Sequence, residues 1–110
     1  MGEQYEVPPG YLEIKLGWRL LFMYHPLRDL CRYQRRGEVV EFPLGEYVRE
    51  RADQADDRGY VEVRAGASLI FKYRPDDGMV WYKNGKFNRE FSLPAYVRGQ
   101  RRRRHGTGAT

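Results

Sequence analysis

Trp81-Tyr82-Lys83-Asn84-Gly85-Lys86-Phe87-Asn88-Arg89-Glu90-Phe91 reads as two short strands folded back on a two-residue turn. A type I′ turn needs positive φ at both central positions, and Asn84 followed by Gly85 meets that need at the least steric cost. The strands on either side, Met79–Lys83 and Lys86–Phe91, carry the aromatic and β-branched residues that suit a half-buried pleated surface. Upstream, Pro75-Asp76-Asp77-Gly78 is a second turn signal. Ser68–Arg74 before it alternates, with Leu69, Phe71 and Tyr73 on one face. Tyr60–Arg64 alternates in the same way and is joined to Ser68 by Ala65-Gly66-Ala67. A last strand is expected at Ala95-Tyr96-Val97. These consecutive short strands with tight turns predict an antiparallel meander.

The first half reads less regularly. Val7-Pro8-Pro9-Gly10 opposes helix and predicts an extended arm. Tyr11–Tyr24 predicts one or two strands interrupted near Gly17, with Leu12, Ile14 and Leu16 alternating against Glu13 and Lys15. Pro26 suits the first turn of a helix over Leu27–Arg36, closed by Gly37. On that helix Arg28, Arg32, Arg35 and Arg36 share one face, and Cys31 is a small buried residue on the other side. Glu38–Phe42 alternates as a strand, Pro43–Gln54 reads as a second helix, and the Asp-rich stretch from Ala52 to Gly59 as a loop. The fold expected is α+β: a small antiparallel sheet of four to six strands containing the Asn-Gly hairpin, with one or two short helices. Residues 1–10 would form an extended N-terminal arm, 11–97 a single globular domain, and 98–110 a disordered basic tail.

Charge is placed unevenly. The net charge is +5, yet Arg98, Arg101, Arg102, Arg103 and Arg104 alone account for it, leaving residues 1–97 neutral. The body is also polarised: Lys15–Arg36 holds six basic residues against Asp29, and Glu38–Asp57 holds seven acids against Arg49 and Arg51. An arginine run is the electrostatic footprint of a phosphate or acidic-protein contact. The helix face Arg28/Arg32/Arg35/Arg36 would extend it, and Tyr73, Trp81, Tyr82 and Phe87 are the rings available for stacking or docking.

Other chemistry finds little footing. Cys31 has no cysteine partner, and with His25 and His105 makes no metal-ligand set, so no metal or cofactor is expected. Cys31 with His25 is the one thiol–imidazole candidate. Both read better as a core thiol and a helix-entry histidine. Asp53, Asp56 and Asp57 lack the glycine and terminal glutamate of an EF-hand loop. The N-terminal MGEQYEVPPG has no apolar signal region, and Glu6 stands where myristoylation wants Ser or Thr. No apolar run reaches the roughly 20 residues of a membrane span. An intracellular, reducing setting fits: cytoplasm, nucleus or a packaged virion.

Trp81-Tyr82-x-Asn84-Gly85-Lys86, then Asn88-Arg89 and Leu93-Pro94-Ala95, resembles the short W-Y-x-N-G-K-x-H-R…L-P-A hairpin repeat of large DNA virus, phage and bacterial proteins. Asp77-Gly78 stands where that repeat usually has its preceding turn, and Asn88 replaces its histidine. The resemblance covers about a fifth of the chain, residues 77–95, and no second copy of the motif is read elsewhere. It implies a structural or interaction module without catalytic residues. The function expected is therefore a non-enzymatic subunit of a large, nucleic-acid-containing assembly, a viral particle or ribonucleoprotein. Its body would meet protein partners and its Arg-rich tail would meet RNA, DNA or acidic protein. The alternative is a stand-alone RNA- or single-strand-binding module that reads through an aromatic sheet face.

Overall fold

A computed structural model describes residues 6–17, 19–35 and 37–100, with the backbone alone at Arg35 and Asn84. Eight strands run in order: β1 (Leu12–Leu16), β2 (Arg19–His25), β3 (Leu30–Arg35), β4 (Glu38–Pro43), β5 (Val61–Ala65), β6 (Ser68–Arg74), β7 (Met79–Asn84) and β8 (Phe87–Ser92). Helix α1 (Leu44–Glu50) and a 3₁₀ turn (Ala52–Gln54) separate the two sets of four, and helix α2 spans 93–100. The α+β character is as expected. The strands form two four-stranded antiparallel meanders, β1-β2-β3-β4 and β5-β6-β7-β8, in place of one sheet. Two compact units result, residues 1–43 and 44–110.

Three local expectations are corrected. Leu27–Arg36 is not a helix: Pro26–Asp29 is a turn and Leu30–Arg35 is a strand, with Cys31 opposite Tyr24 and Phe42. Ala95-Tyr96-Val97 is helical, not extended. The Ser92 hydroxyl accepts the Ala95 N–H at 3.2 Å as an N-terminal cap, and Leu93 and Val97, one helical turn apart, are buried. The β7–β8 hairpin forms, but Asn84 pairs with Phe87, so Gly85-Lys86 are the loop residues. Gly85 has φ +64° at the first loop position, the place a type II′ turn reserves for glycine.

The two meanders are copies of one another. Shifted by 49 positions, residues 59–98 fall on 10–49 without a gap and are identical at fifteen of forty places. The match extends to geometry. Each first strand carries a bulge at the same step, Ile14/Lys15 and Val63/Arg64. Each second hairpin turn ends in a positive-φ residue, Asp29 (φ +55°) and Gly78 (φ +74°). The core is built from the corresponding sets Leu12, Ile14, Phe22 and Cys31 in the first unit and Val61, Val63, Phe71 and Val80 in the second, all at most 5% exposed. The segment 77–95 thus has a counterpart in 28–46, but of the motif residues only Tyr82 and Leu93 recur there, as Tyr33 and Leu44.

Candidate nucleic-acid interface

Each meander is tied across its width by a buried tyrosine. Tyr11, just before β1, donates its hydroxyl proton to Glu41 on β4, and Tyr60, just before β5, does the same to Glu90 on β8. Burial and the hydrogen-bonded carboxylate push both phenols up to about 12. In return, the Tyr11 hydroxyl, helped by Arg32, holds Glu41 below its ordinary value. A third group packs on each ring: His25 edge-on to Tyr11 at 5.2 Å, and the Arg74 guanidinium over Tyr60 at 4.9 Å. These are equivalent positions in the two copies. They lock the first strand to the last, and their protons are held, not poised for transfer.

This clasp uses up part of the basic face expected from the sequence. Arg32 reaches Glu41 at 3.3 Å, its Nε is buried without a hydrogen-bond partner, and Arg28 lies in the Pro26–Asp29 turn. Without a helix beneath them the expected helical face does not form, Arg28 lying in a turn and Arg32 on β3; Arg36 lies outside the described residues. The pairing of Arg32 with Glu41 does join the basic and acidic blocks of the first half. Arg98 sits exposed on α2, and Arg101, Arg102, Arg103 and Arg104 lie outside the described residues.

The four rings do not make one platform. Tyr82 is buried at 6% exposure and packs edge-on against Phe91 at 6.2 Å, so it belongs to the core. Tyr73 is half-buried on the same face, across from Val80. Trp81 points to the opposite face, where the row Glu62, Lys72, Trp81, Glu90 runs across the sheet and the Lys72 ammonium lies 4.7 Å from its ring. Phe87 is exposed, at 67%, on the hairpin tip.

Around Phe87 the tip is basic. Lys83, Lys86 and Arg89 are all exposed, and none has a carboxylate partner among the described residues. The Arg89 guanidinium stands 5.9 Å from the centre of the Phe87 ring. The sequence places Phe87 among the candidate rings. The three cations are legible there too, as the only charges between Asp77 and Glu90, though less conspicuous than the longer arginine runs.

The candidates for other chemistry are structural. Cys31 is buried, and burial pushes its thiol well above the ordinary range, away from nucleophilic use. His25 lies on β2, and its Nδ1 accepts the Arg28 N–H at 3.2 Å. Asp56 closes a turn: its Oδ1 accepts the N–H groups of Arg58 and Tyr60 at 2.9 and 3.0 Å, which holds the carboxyl low. Among the described residues, no group of three or more His, Cys, Asp or Glu is placed to hold a metal, and no helix is long and apolar enough to cross a membrane. No protein-family model, curated protein or solved structure matches the chain.

Proposed function

We propose that this protein is a non-catalytic interaction subunit of a nucleic-acid-containing assembly, its duplicated sheets docking to neighbours and its arginine-rich C-terminal segment engaging phosphate. The observation that carries the reading is what the two copies share. Identical pairs fall on glycines and a proline at turns, on Phe22/Phe71 of the core, and on the Tyr11–Glu41 and Tyr60–Glu90 clasps. Around the last hairpin's tip and within the second turn the copies differ: Glu38 against Phe87, Val40 against Arg89, Leu27 against Asp76. One scaffold retained twice with two different surfaces is the economy of a binding module, as in other repeat architectures.

The alternative, a sheet face that reads single strands, is less favoured by the placement of Trp81 and Tyr82 on opposite faces and the burial of Tyr82. Sedimentation velocity of the full chain with a homopolymeric RNA, across a salt series, tests the proposal. The expected result is a complex that dissociates steeply with salt and that weakens when Arg101, Arg102, Arg103 and Arg104 are all replaced by Gln. A chain that sediments alone with RNA and DNA even at low salt overturns it.

A further inference from the structure

We infer that the β7–β8 hairpin tip is a contact site for single-stranded nucleic acid, with Phe87 stacking on an unpaired base and Lys83, Lys86 and Arg89 neutralising the flanking phosphates. This rests on the proposed function and adds a second, sequence-distant site to the C-terminal arginines.

The fold does not ask for these residues. In the first copy the same hairpin pairs with Gln34 where the second has Lys83, Glu38 where it has Phe87 and Val40 where it has Arg89. A phenylalanine two-thirds exposed gains little from burial and leaves apolar surface in water. Three cations flank the ring: Arg89 on its own face of the hairpin, Lys86 in the loop and Lys83 on the other face. No carboxylate among the described residues answers them. Elsewhere on the same sheet Arg58 pairs with Glu90, Arg64 with Glu62, Lys72 with Asp56 and Arg74 with Asp77. The tip therefore stands out as the place where positive charge and an open ring occur together.

That combination fits one partner chemistry best. A polyanion satisfies the cations, and an aromatic ring carrying a guanidinium at 5.9 Å offers a stacking surface for a base. An acidic peptide would answer the charge but leave the ring without a partner. A duplex keeps its bases stacked on one another. A single strand presents both phosphate and a free base face.

The test is fluorescence anisotropy of the full chain with a labelled uridine homo-oligonucleotide over a salt series, alongside a duplex, a poly-glutamate peptide and anionic lipid vesicles. Phe87→Ala is expected to weaken single-strand binding about tenfold with little change in salt slope, and Phe87→Trp to restore it. Lys83→Gln/Lys86→Gln/Arg89→Gln is expected to reduce the magnitude of the slope by about 2, for three phosphate contacts released. Lys86→Glu, at an exposed loop position, repeats the test without touching a strand. Thermal melts confirm that each variant is folded. Native-like binding by Phe87→Ala and Lys86→Glu overturns the site; if neutralising Arg101–Arg104 then abolishes binding, the proposed function survives without it. An equal Phe87 dependence with the duplex, the peptide or the vesicles also overturns the single-strand assignment. Failure of the native chain to bind any nucleic acid defeats both readings.

Discussion

At Gly78 and Gly85 the same backbone requirement meets two different surroundings. Both have positive φ, at +74° and +64°, which a residue with a Cβ adopts at a cost of about 1–2 kcal/mol. Around Gly85 a Cβ would meet nothing within 4 Å, so Gly85→Ala carries the conformational cost alone. At Gly78 the added carbon would come within 2.6 Å of Pro94 Cδ, at the start of α2, so the ring or the helix must also move. Chemical denaturation is expected to show Gly78→Ala destabilised by at least about 1 kcal/mol more than Gly85→Ala. The first copy solves the equivalent position differently. Asp29 takes φ +55° itself, and its Oδ1 accepts the Tyr24 hydroxyl at 2.5 Å.

The tyrosine clasps make a second residue-scale prediction. Tyr60→Phe or Tyr11→Phe removes one hydrogen bond to a partly exposed carboxylate and is expected to cost about 1 kcal/mol. Because the folded phenols are raised from the usual 10 to about 12, the unfolded chain ionises first. The stability they contribute is complete below pH 10 and is lost between about 10 and 12. Glu41 has the opposite sign: lowered in the folded state, it contributes above its ordinary range and the contribution falls away as pH drops through it. Tyrosinate absorbance in an alkaline titration is expected to lag behind that of a tyrosine model compound. In the Tyr11→Phe/Tyr60→Phe double variant that lag should shrink.

At the scale of elements, the sequence is most legible where only one period fits. Ser68–Arg74 is the strand expected, and α1 with its 3₁₀ extension falls inside the helix expected over Pro43–Gln54. Leu27–Arg36 misleads because positions 28, 32 and 36 are spaced by four, a step that places residues on one face in both a helix and a strand. Pro26 fits a turn as readily as a helix start. What decides is partnership: β3 lies hydrogen-bonded between β2 and β4, which no local pattern contains. The end of the chain has a local signal that outweighs the strand reading, since Ser92 caps α2 and Leu93 and Val97 are spaced for a helix. Ser92→Ala is expected to cost about 1 kcal/mol, measured by urea denaturation. Tyr47→Phe tests the seating of α1, whose tyrosine hydroxyl accepts the Arg64 N–H at the β5 bulge, 3.2 Å away. Leaving that N–H without its acceptor is expected to cost about 1 kcal/mol in the same measurement.

For the whole molecule, the duplication was the feature hardest to see in the sequence. The motif that draws attention is a turn motif, and turn residues are among those that differ between the copies. The matched residues come singly or in runs of at most three: Gly10-Tyr11/Gly59-Tyr60, Glu41-Phe42/Glu90-Phe91 and Tyr47-Val48-Arg49/Tyr96-Val97-Arg98. A shift of 49 positions brings them all into register at once. The candidate site was legible at Phe87 but not at Tyr82 or the Arg28–Arg36 face, because exposure depends on which neighbours a strand acquires. At this scale the boundary of packing can be tested. Leu44 and Val48 of α1 are buried, and α1 packs against β5. A fragment of residues 44–100 is therefore expected to melt cooperatively and at higher temperature than one of residues 59–100, as followed by circular dichroism.

The repeating period and the packing period are out of phase. By sequence α1 closes the first copy, yet the compact unit that contains it is the second. The helix that ends the first copy in sequence is thus spent on the first strand of the second, with Leu44 and Val48 buried there. Cutting the chain at the repeat boundary therefore strips the second sheet of part of its cover, while cutting at residue 44 does not.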